Sequence, residues 1–266
     1  MGEYYMSKRD SKQAEGVYAR AAALAPGEWH PVLQLGRSFY AQARYSEAAS
    51  TWETARAKSP DNALVLRNLG AAYHMLERTD DAAAAFQRAL EIEPSATVYS
   101  NLGTLRFFQG RYSDAAAAFE KAVELNPSVF LYWANLGDAY RRLPGSTEKA
   151  RTAYSRAINL VEDRLKTSPT SPDLQTQLAL YLAKSDNKTR ALQELRRWES
   201  FETKSPASHF RVLLIHEIGG DREAALSALS AALTAGYAIK EIRDEPELAR
   251  LRNDPRYHRI VATFDK

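Results

Sequence analysis

The stretch 63–95, ALVLRNLGAAYHMLERTDDAAAAFQRALEIEPS, decides how this chain is read. It carries the pair Leu69-Gly70 and then, at fixed offsets, Ala82, Phe86, Ala89 and Pro94. Working outward, the pair occurs as Leu35-Gly36, Leu69-Gly70, Leu102-Gly103 and Leu136-Gly137, at intervals of 34, 33 and 34 residues. Its followers travel with it: Ala48, Trp52, Ala55 and Pro60 on one side, Ala115, Phe119, Ala122 and Pro127 on the other. A glycine inside a helix costs about 1 kcal/mol relative to alanine. Four of them in phase therefore mark a packing requirement. The expectation is that two helix backbones approach closely, glycine on one against the small alanines of the other. Val32, Leu66 and Tyr99 one turn earlier, with Phe39 and Tyr73 one turn later, extend the apolar stripe at helical spacing.

This pattern resembles the tetratricopeptide repeat, a helix–turn–helix unit of about 34 residues. The resemblance implies an all-α, right-handed superhelical solenoid, closed here by a short C-terminal helical cap. Residues 1–28 read as a truncated first unit, in which Gly2, Tyr5, Ala14, Tyr18, Ala21 and Pro26 hold the repeat positions. The sequence is therefore expected to be a piece of a longer protein, with an apolar edge that could pair with a second copy. Residues 29–166 read as the regular array, 167–238 as divergent units and 239–266 as the cap, all in one continuous solenoid. In the third unit Arg106 takes the expected aromatic place, and Phe107-Phe108 follow it. The fourth unit has a lengthened turn, Leu143 to Thr147, and a second helix reaching about Lys166 before the breaker cluster Thr167 to Pro172. A fifth unit uses Leu178-Ala179, Leu182, Ala191, Leu195 and Trp198. A sixth uses Val212, Ile215, the Gly219-Gly220-Asp221 turn, Ala224, Ala228 and Ala231.

Composition removes several classes of function. The net charge is +3 with acids and bases interspersed, whereas a nucleic-acid surface shows as a basic patch or stripe. With no cysteine there is neither a disulfide framework nor a thiolate metal site. No apolar run is long enough to span a bilayer. The compartment stays open, with a cytoplasmic setting preferred to a periplasmic one. His30, His74, His209, His216 and His258 are dispersed, and Gly219-Gly220 falls in a helix–helix turn and not after a strand. The reading is a non-enzymatic chain that calls for no cofactor and no metal. Helical repeats that read RNA one base at a time are set aside, because the Leu-Gly, aromatic and proline signature is that of the protein-binding relative.

The inner face formed by the first helices is the expected binding groove. Counting 3.6 residues per turn, it includes Leu33, Arg37 and Tyr40, then Arg67, Ala71 and His74, then Ser100, Thr104 and Phe107, then Ala134, Asp138 and Arg141. Asn68, Asn101 and Asn135 stand two residues before successive glycines, placed for a peptide backbone or for the neighbouring repeat. The candidate site is thus Arg37, Tyr40, Arg67, Asn68, His74, Asn101, Phe107, Asn135 and Arg141. The expected partner is an extended or helical protein segment, acidic or C-terminal, and neither nucleic acid nor a membrane. The tail offers a second reading. Ala235-Gly236-Tyr237, Pro246-Glu247-Leu248, Leu251-Arg252 and Asp254-Pro255-Arg256-Tyr257 resemble the segment that follows repeat arrays in bacterial serine/threonine kinases and winged-helix transcription regulators. That resemblance implies a regulatory or sensory region whose effector domain lies outside this chain. Asp244-Glu245-Pro246 and Asn253-Asp254-Pro255 are helix-start signals, predicting two short helices that bury Leu248, Leu251, Tyr257, Ile260, Val261 and Phe264.

Overall fold

The computed structural model describes residues 2–7 and 10–265. Met1, Lys8, Arg9 and Lys266, which fall in the first and last divisions above, lie outside the described residues. Among the described residues the secondary structure is entirely helical, as expected. Consecutive helices pack as pairs within each of two compact units, Met1–Pro127 and Ser128–Lys266.

The first unit contains α1 (Gly2–Ser7), α2 (Ser11–Leu24), α3 (Trp29–Ala41), α4 (Tyr45–Lys58), α5 (Ala63–Met75), α6 (Thr79–Ile92), α7 (Ala96–Phe108) and α8 (Tyr112–Leu125). The glycines do have a packing reason, but not the expected one. A Cβ on Gly70 would lie 2.5 Å from the Phe86 ring, and one on Gly103 would lie 2.7 Å from Phe119. Gly36 meets Trp52 at 2.3 Å in the same test, and Gly2 meets Tyr18 at 2.5 Å. Each glycine is the socket for the aromatic ring of its own partner helix, not a seat for alanine. The alanines Ala48, Ala82 and Ala115 are instead fully buried one turn earlier along the second helix. Trp52 also donates its indole N–H to the Leu33 carbonyl at 2.9 Å, so ring and socket are locked in register.

The turns between paired helices use a left-handed residue at one shared place. Ala43 (φ 57°), Glu77 (φ 60°) and Gly110 (φ 74°) occupy it, and only Gly110 is free of the Cβ penalty. Next to it an arginine clamps the hairpin. Arg44 lies 4.4 Å from the Phe39 ring centroid and pairs with Glu47; Arg78 lies 4.2 Å from Tyr73 and pairs with Asp81. In the third pair Arg106 replaces the ring, Arg111 keeps its pair with Asp114, and Phe107 packs edge-on against Tyr112.

The second unit contains α9 (Phe130–Arg141), α10 (Thr147–Thr167), α11 (Pro172–Lys184), α12 (Lys188–Glu199), α13 (Pro206–Gly219), α14 (Arg222–Thr234), α15 (Ile239–Asp244) and α16 (Pro255–Ala262). Two 3-10 turns, Pro246–Leu248 and Leu251–Asn253, lie between the last two. The long α10 ends where its breaker cluster requires. The socket drifts in size along this unit. Gly137 faces Tyr154, with a Cβ approach of 2.7 Å. The same register then pairs Ala179 with Leu195, and Leu213 with Leu229, all buried. As the ring shrinks to leucine, the glycine can grow. In the sixth unit the expected Val212, Ile215 and Ala228 are buried, whereas Ala224 is half-buried and Ala231 exposed, their places in the core taken by Ala225, Leu229 and Ala232. A left-handed Gly220 (φ 83°) spends one residue in the turn before α14 begins. In the tail Leu248, Leu251, Tyr257 and Val261 are buried and Ile260 and Phe264 partly so, though the first expected helix is a pair of 3-10 turns. Asp254 caps α16 ahead of Pro255 by accepting the Arg256 N–H.

Candidate functional site in the first unit

In the first unit the first helices of the pairs, α3, α5 and α7, keep one strip toward solvent. His30, Arg37, Leu64, Thr97 and Phe108 are exposed, with Arg67, His74 and Phe107 half-buried among them. The His74 and Phe108 rings, on neighbouring first helices, lie 6.1 Å apart and join the strip from one repeat to the next. Phe108 remains 51 % exposed, which is unusual for so large an apolar side chain.

The counted stripe is wrong at its inner edge. Leu33, Ser100 and Ala134 are buried, because each first helix packs against its own partner and against the adjoining repeat. What remains open is narrower than half a helix. Phe108, one residue beyond the count, is the exposed aromatic that the arithmetic missed. Its signal was the doubled Phe107-Phe108 in a helix whose aromatic position had gone to arginine.

The named candidates fall into different settings. Arg37 is exposed and donates to the neutral Oε1 of Gln34 at 3.1 Å; Gln34 in turn contacts His30. Tyr40 belongs more to its own repeat, with ring centroids 5.1 Å from Tyr45 and 5.7 Å from Trp52. Burial, then the neighbouring Tyr45, raise its pKa above the ordinary tyrosine value. Asn68, Asn101 and Asn135 are all half-buried. The Asn68 amide nitrogen is out of solvent with no hydrogen-bond partner, an arrangement that costs about 1–3 kcal/mol. Two concavities of about 360 and 400 Å³ lie on the other side of the unit, in a furrow between α4 and α6. Ala49, Ser50, Ala84 and Ala85 line that furrow with Leu66, Tyr73 and Leu76, and its charges are paired: Arg56 with Glu53, Arg78 with Asp81, and Arg88 with Asp61 and Glu91.

Asn135 and Arg141 lie in the second unit, where α9 keeps Leu131 exposed at the place of Leu64 and Thr97 but the tail reaches the end of the helix. Arg141 and Arg142, at the end of α9, both donate to the Glu247 carboxylate, at 3.1 and 3.2 Å. Lys184, at the end of α11, donates to both oxygens of Asp138 at 2.6 and 2.8 Å, and the Tyr154 hydroxyl donates to Asp138 at 2.5 Å. The turn Pro246–Leu248 packs on α13. The tail therefore reaches the end of α9 and packs on α13, and Arg141 serves it as an anchor. Sequence reasoning did not foresee this, yet a signal was present. LALYLA (178–183) and VLLI (212–215) are apolar all round, and such a helix must be covered on every side.

Among the described residues there is no cluster of three or more metal-binding side chains, and no helix is long and apolar enough to cross a membrane.

Comparison with known proteins bears on the fold. The sequence profile of the tetratricopeptide repeat matches residues 33–97 and 100–172. No curated protein matches the sequence. Among solved structures the chain is similar to a tetratricopeptide repeat protein from Parabacteroides merdae, with a TM-score of 0.63 and 19% identity over 95% of this chain and 96% of that one. It is similar to the Cut9–Hcn1 structure of the APC/C, with a TM-score of 0.67 and 13% identity over 100% of this chain and 48% of that one. The Pseudomonas aeruginosa protein pilF gives a TM-score of 0.53 at 19% identity, covering 88% of this chain and 97% of that one. Identities this low speak for a shared fold alone.

Proposed function

Because the chain belongs to the tetratricopeptide-repeat family, whose members generally mediate protein–protein contacts, we propose that it is a non-enzymatic scaffold. It takes an extended or helical protein segment on the first-helix face of its first unit. The observation that carries this reading is a contrast in exposure. The strip on α3, α5 and α7 leaves Leu64, Phe108 and Arg37 open to solvent, whereas α11 has no exposed residue and α13 exposes only its ends. Asn68 adds a buried amide with an unmet hydrogen bond beside that strip. A main-chain carbonyl reaching it would remove the cost of leaving it unpaired. Asn101, one repeat on, extends the same row. A regulatory role beside a kinase or transcription-regulator domain is compatible with this reading. Its support is the tail sequence, whose matched residues Tyr237, Leu248, Leu251 and Tyr257 build the docked cap.

The test is a selection of random peptides displayed on phage against the full chain. Selected peptides should lose binding to Leu64→Asp/Phe108→Asp and keep it to Ser50→Arg, which blocks the furrow between α4 and α6. Both substitution sets fall on partly or fully exposed positions, so folding should survive them. Peptides that bind the first variant as well as the parent would move the docking surface elsewhere.

A further inference from the structure

Residues 238–265 are bonded to one another across their whole length. The Arg252 guanidinium donates to the Glu245 carbonyl at 2.8 Å, and Arg243 of α15 pairs with Asp265 beyond α16. Asp254 accepts from both the backbone N–H and the guanidinium of Arg256, at 2.9 to 3.1 Å. These bonds tie the segment into one piece. Its root is fixed separately. Tyr237 stacks on Phe210 of α13 with ring centroids 4.2 Å apart, and its N–H donates to the Ala232 carbonyl at 2.9 Å. Gly236 before it is left-handed (φ 89°), and Ala238 after it is extended (φ −66°, ψ 123°).

The piece meets the rest of its unit through polar edges and an apolar middle. At one edge Glu247 accepts from Arg141 and Arg142, and at another Arg256 donates to Glu223 of α14 at 2.6 Å. In the middle Ile242, Leu248 and Leu251 are fully buried, with Pro246–Leu248 packed on α13 and α16 on α14. Two groups oppose this seat. The Tyr257 hydroxyl is out of solvent without a hydrogen-bond partner, on a residue only 2 % exposed. Water would satisfy it once the piece lifted, so its burial counts against the closed arrangement. The Glu245 carboxyl is partly buried, and burial raises its pKa above the ordinary value. A buried polar group left unmet is a store of strain in a folded chain.

We propose that residues 238–265 are a lid, hinged at Gly236 to Ala238, that opens as one body while the helices α9 to α14 stay folded. Opening costs only the contacts between the lid and its seat, because the bonds inside the lid travel with it. Closed, the lid seals the side of α13 on which Pro246–Leu248 packs. Open, it bares that apolar side, so the lid sets the access of any partner to the second unit. The inference is independent of what the first unit's face binds.

The test is hydrogen exchange of the full chain, followed as denaturant rises toward but not into global unfolding. Amides of 239–244 and 255–262 should exchange through one shared opening while 147–167 stays protected. Tyr257→Phe, which removes the unmet hydroxyl, should slow that opening about tenfold. Ile242→Asp puts a charge into the seat and should hold the lid open. That variant should bind anilinonaphthalene sulfonate, a dye for exposed apolar surface, and keep its protection over 147–167. If the tail amides exchange only together with 147–167, there is no separate lid and the proposal falls. It falls too if Tyr257→Phe fails to slow the opening, because the hydroxyl is then no strain on the closed form. Loss of protection over 147–167 in Ile242→Asp, or absence of dye binding, would make the tail a fixed part of the core and overturn it.

Discussion

The two units use one helical-repeat plan, and α3, α5 and α7 of the first treat its first-helix face in the opposite way from α11 and α13 of the second. In the first unit α3, α5 and α7 are amphipathic, with a wet strip bearing arginine, histidine and two exposed apolar side chains. In the second, α11 and α13 have lost that strip, and Leu180, Ala183 and Leu214 share one buried layer with Ile242, Leu248 and Leu251 of the tail. The difference teaches that a repeat position has no fixed role. The same row is a surface where nothing covers it and a core where the chain folds back on itself. Covering it with the chain's own residues removes the cost of exposing an apolar face, and removes that face from the set a partner could use.

The largest expected effect breaks the second unit alone. Leu248 is fully buried, and truncating such a leucine costs about 2–5 kcal/mol. Leu248→Ala should raise hydrogen exchange over 172–219 and 239–262 and leave 63–92 unchanged. Equal loss of protection in both units would mean that the tail is not confined to stabilising its own unit.

The next effect breaks the first unit. Gly70→Ala places a methyl 2.5 Å from a Phe86 ring that is only 1 % exposed and cannot swing aside. Overpacking of this kind costs about 1–3 kcal/mol, against a gain of about 1 kcal/mol in helix propensity. The variant should therefore melt lower, and Phe86→Leu added to it should restore part of the loss. The second unit supplies the control. Ala179 already faces Leu195 at that register, so Ala179→Gly should lose only propensity and a small contact. A Gly70→Ala chain as stable as the parent would show that the ring relaxes freely.

The sequence made the helical pairs legible because the period is written in residue types that only packing explains. It misread what the glycine packs against. The Gly-to-aromatic offset of 16 residues was visible, but so was the alanine offset of 12, and composition alone does not say which side chain fills a socket. The groove was legible in outline and shifted in detail: Leu33, Ser100 and Ala134 went inside and Phe108 came out. Periodicity counts turns of one helix and is blind to the second neighbour that each first helix has. Least legible was the fate of Arg141. Its acceptor, Glu247, lies 106 residues away, and no local pattern encodes a return of that length. Only the all-round apolar character of α11 and α13 hinted that something must cover them.

The smallest expected effect sharpens the account of the tail's charges. Burial raises the Glu245 pKa, helped by the nearby Asp138 and Glu247 and opposed by Lys184 and the Glu247 N–H. A carboxyl whose folded pKa lies above its ordinary 4.5 binds its proton more readily folded than unfolded, so its ionised form weakens the fold at neutral pH. The weakening fades as pH falls through the raised value and is gone near about pH 4.5, where the unfolded chain also takes up the proton. Asp254 acts in the opposite sense and in a separate window. Its bonds with Arg256 hold its pKa down to about 2, so its contribution is present above its ordinary 3.8 and is lost only below that. Glu245→Gln keeps an oxygen that can accept the Glu247 N–H, a bond of 3.1 Å, and removes only the charge. The variant should melt slightly above the parent at neutral pH, with the two curves converging as pH approaches about 4.5. A lower melting point at neutral pH would mean that attraction to Lys184 outweighs burial, and that the tail is held by ion pairing more than by its apolar anchors.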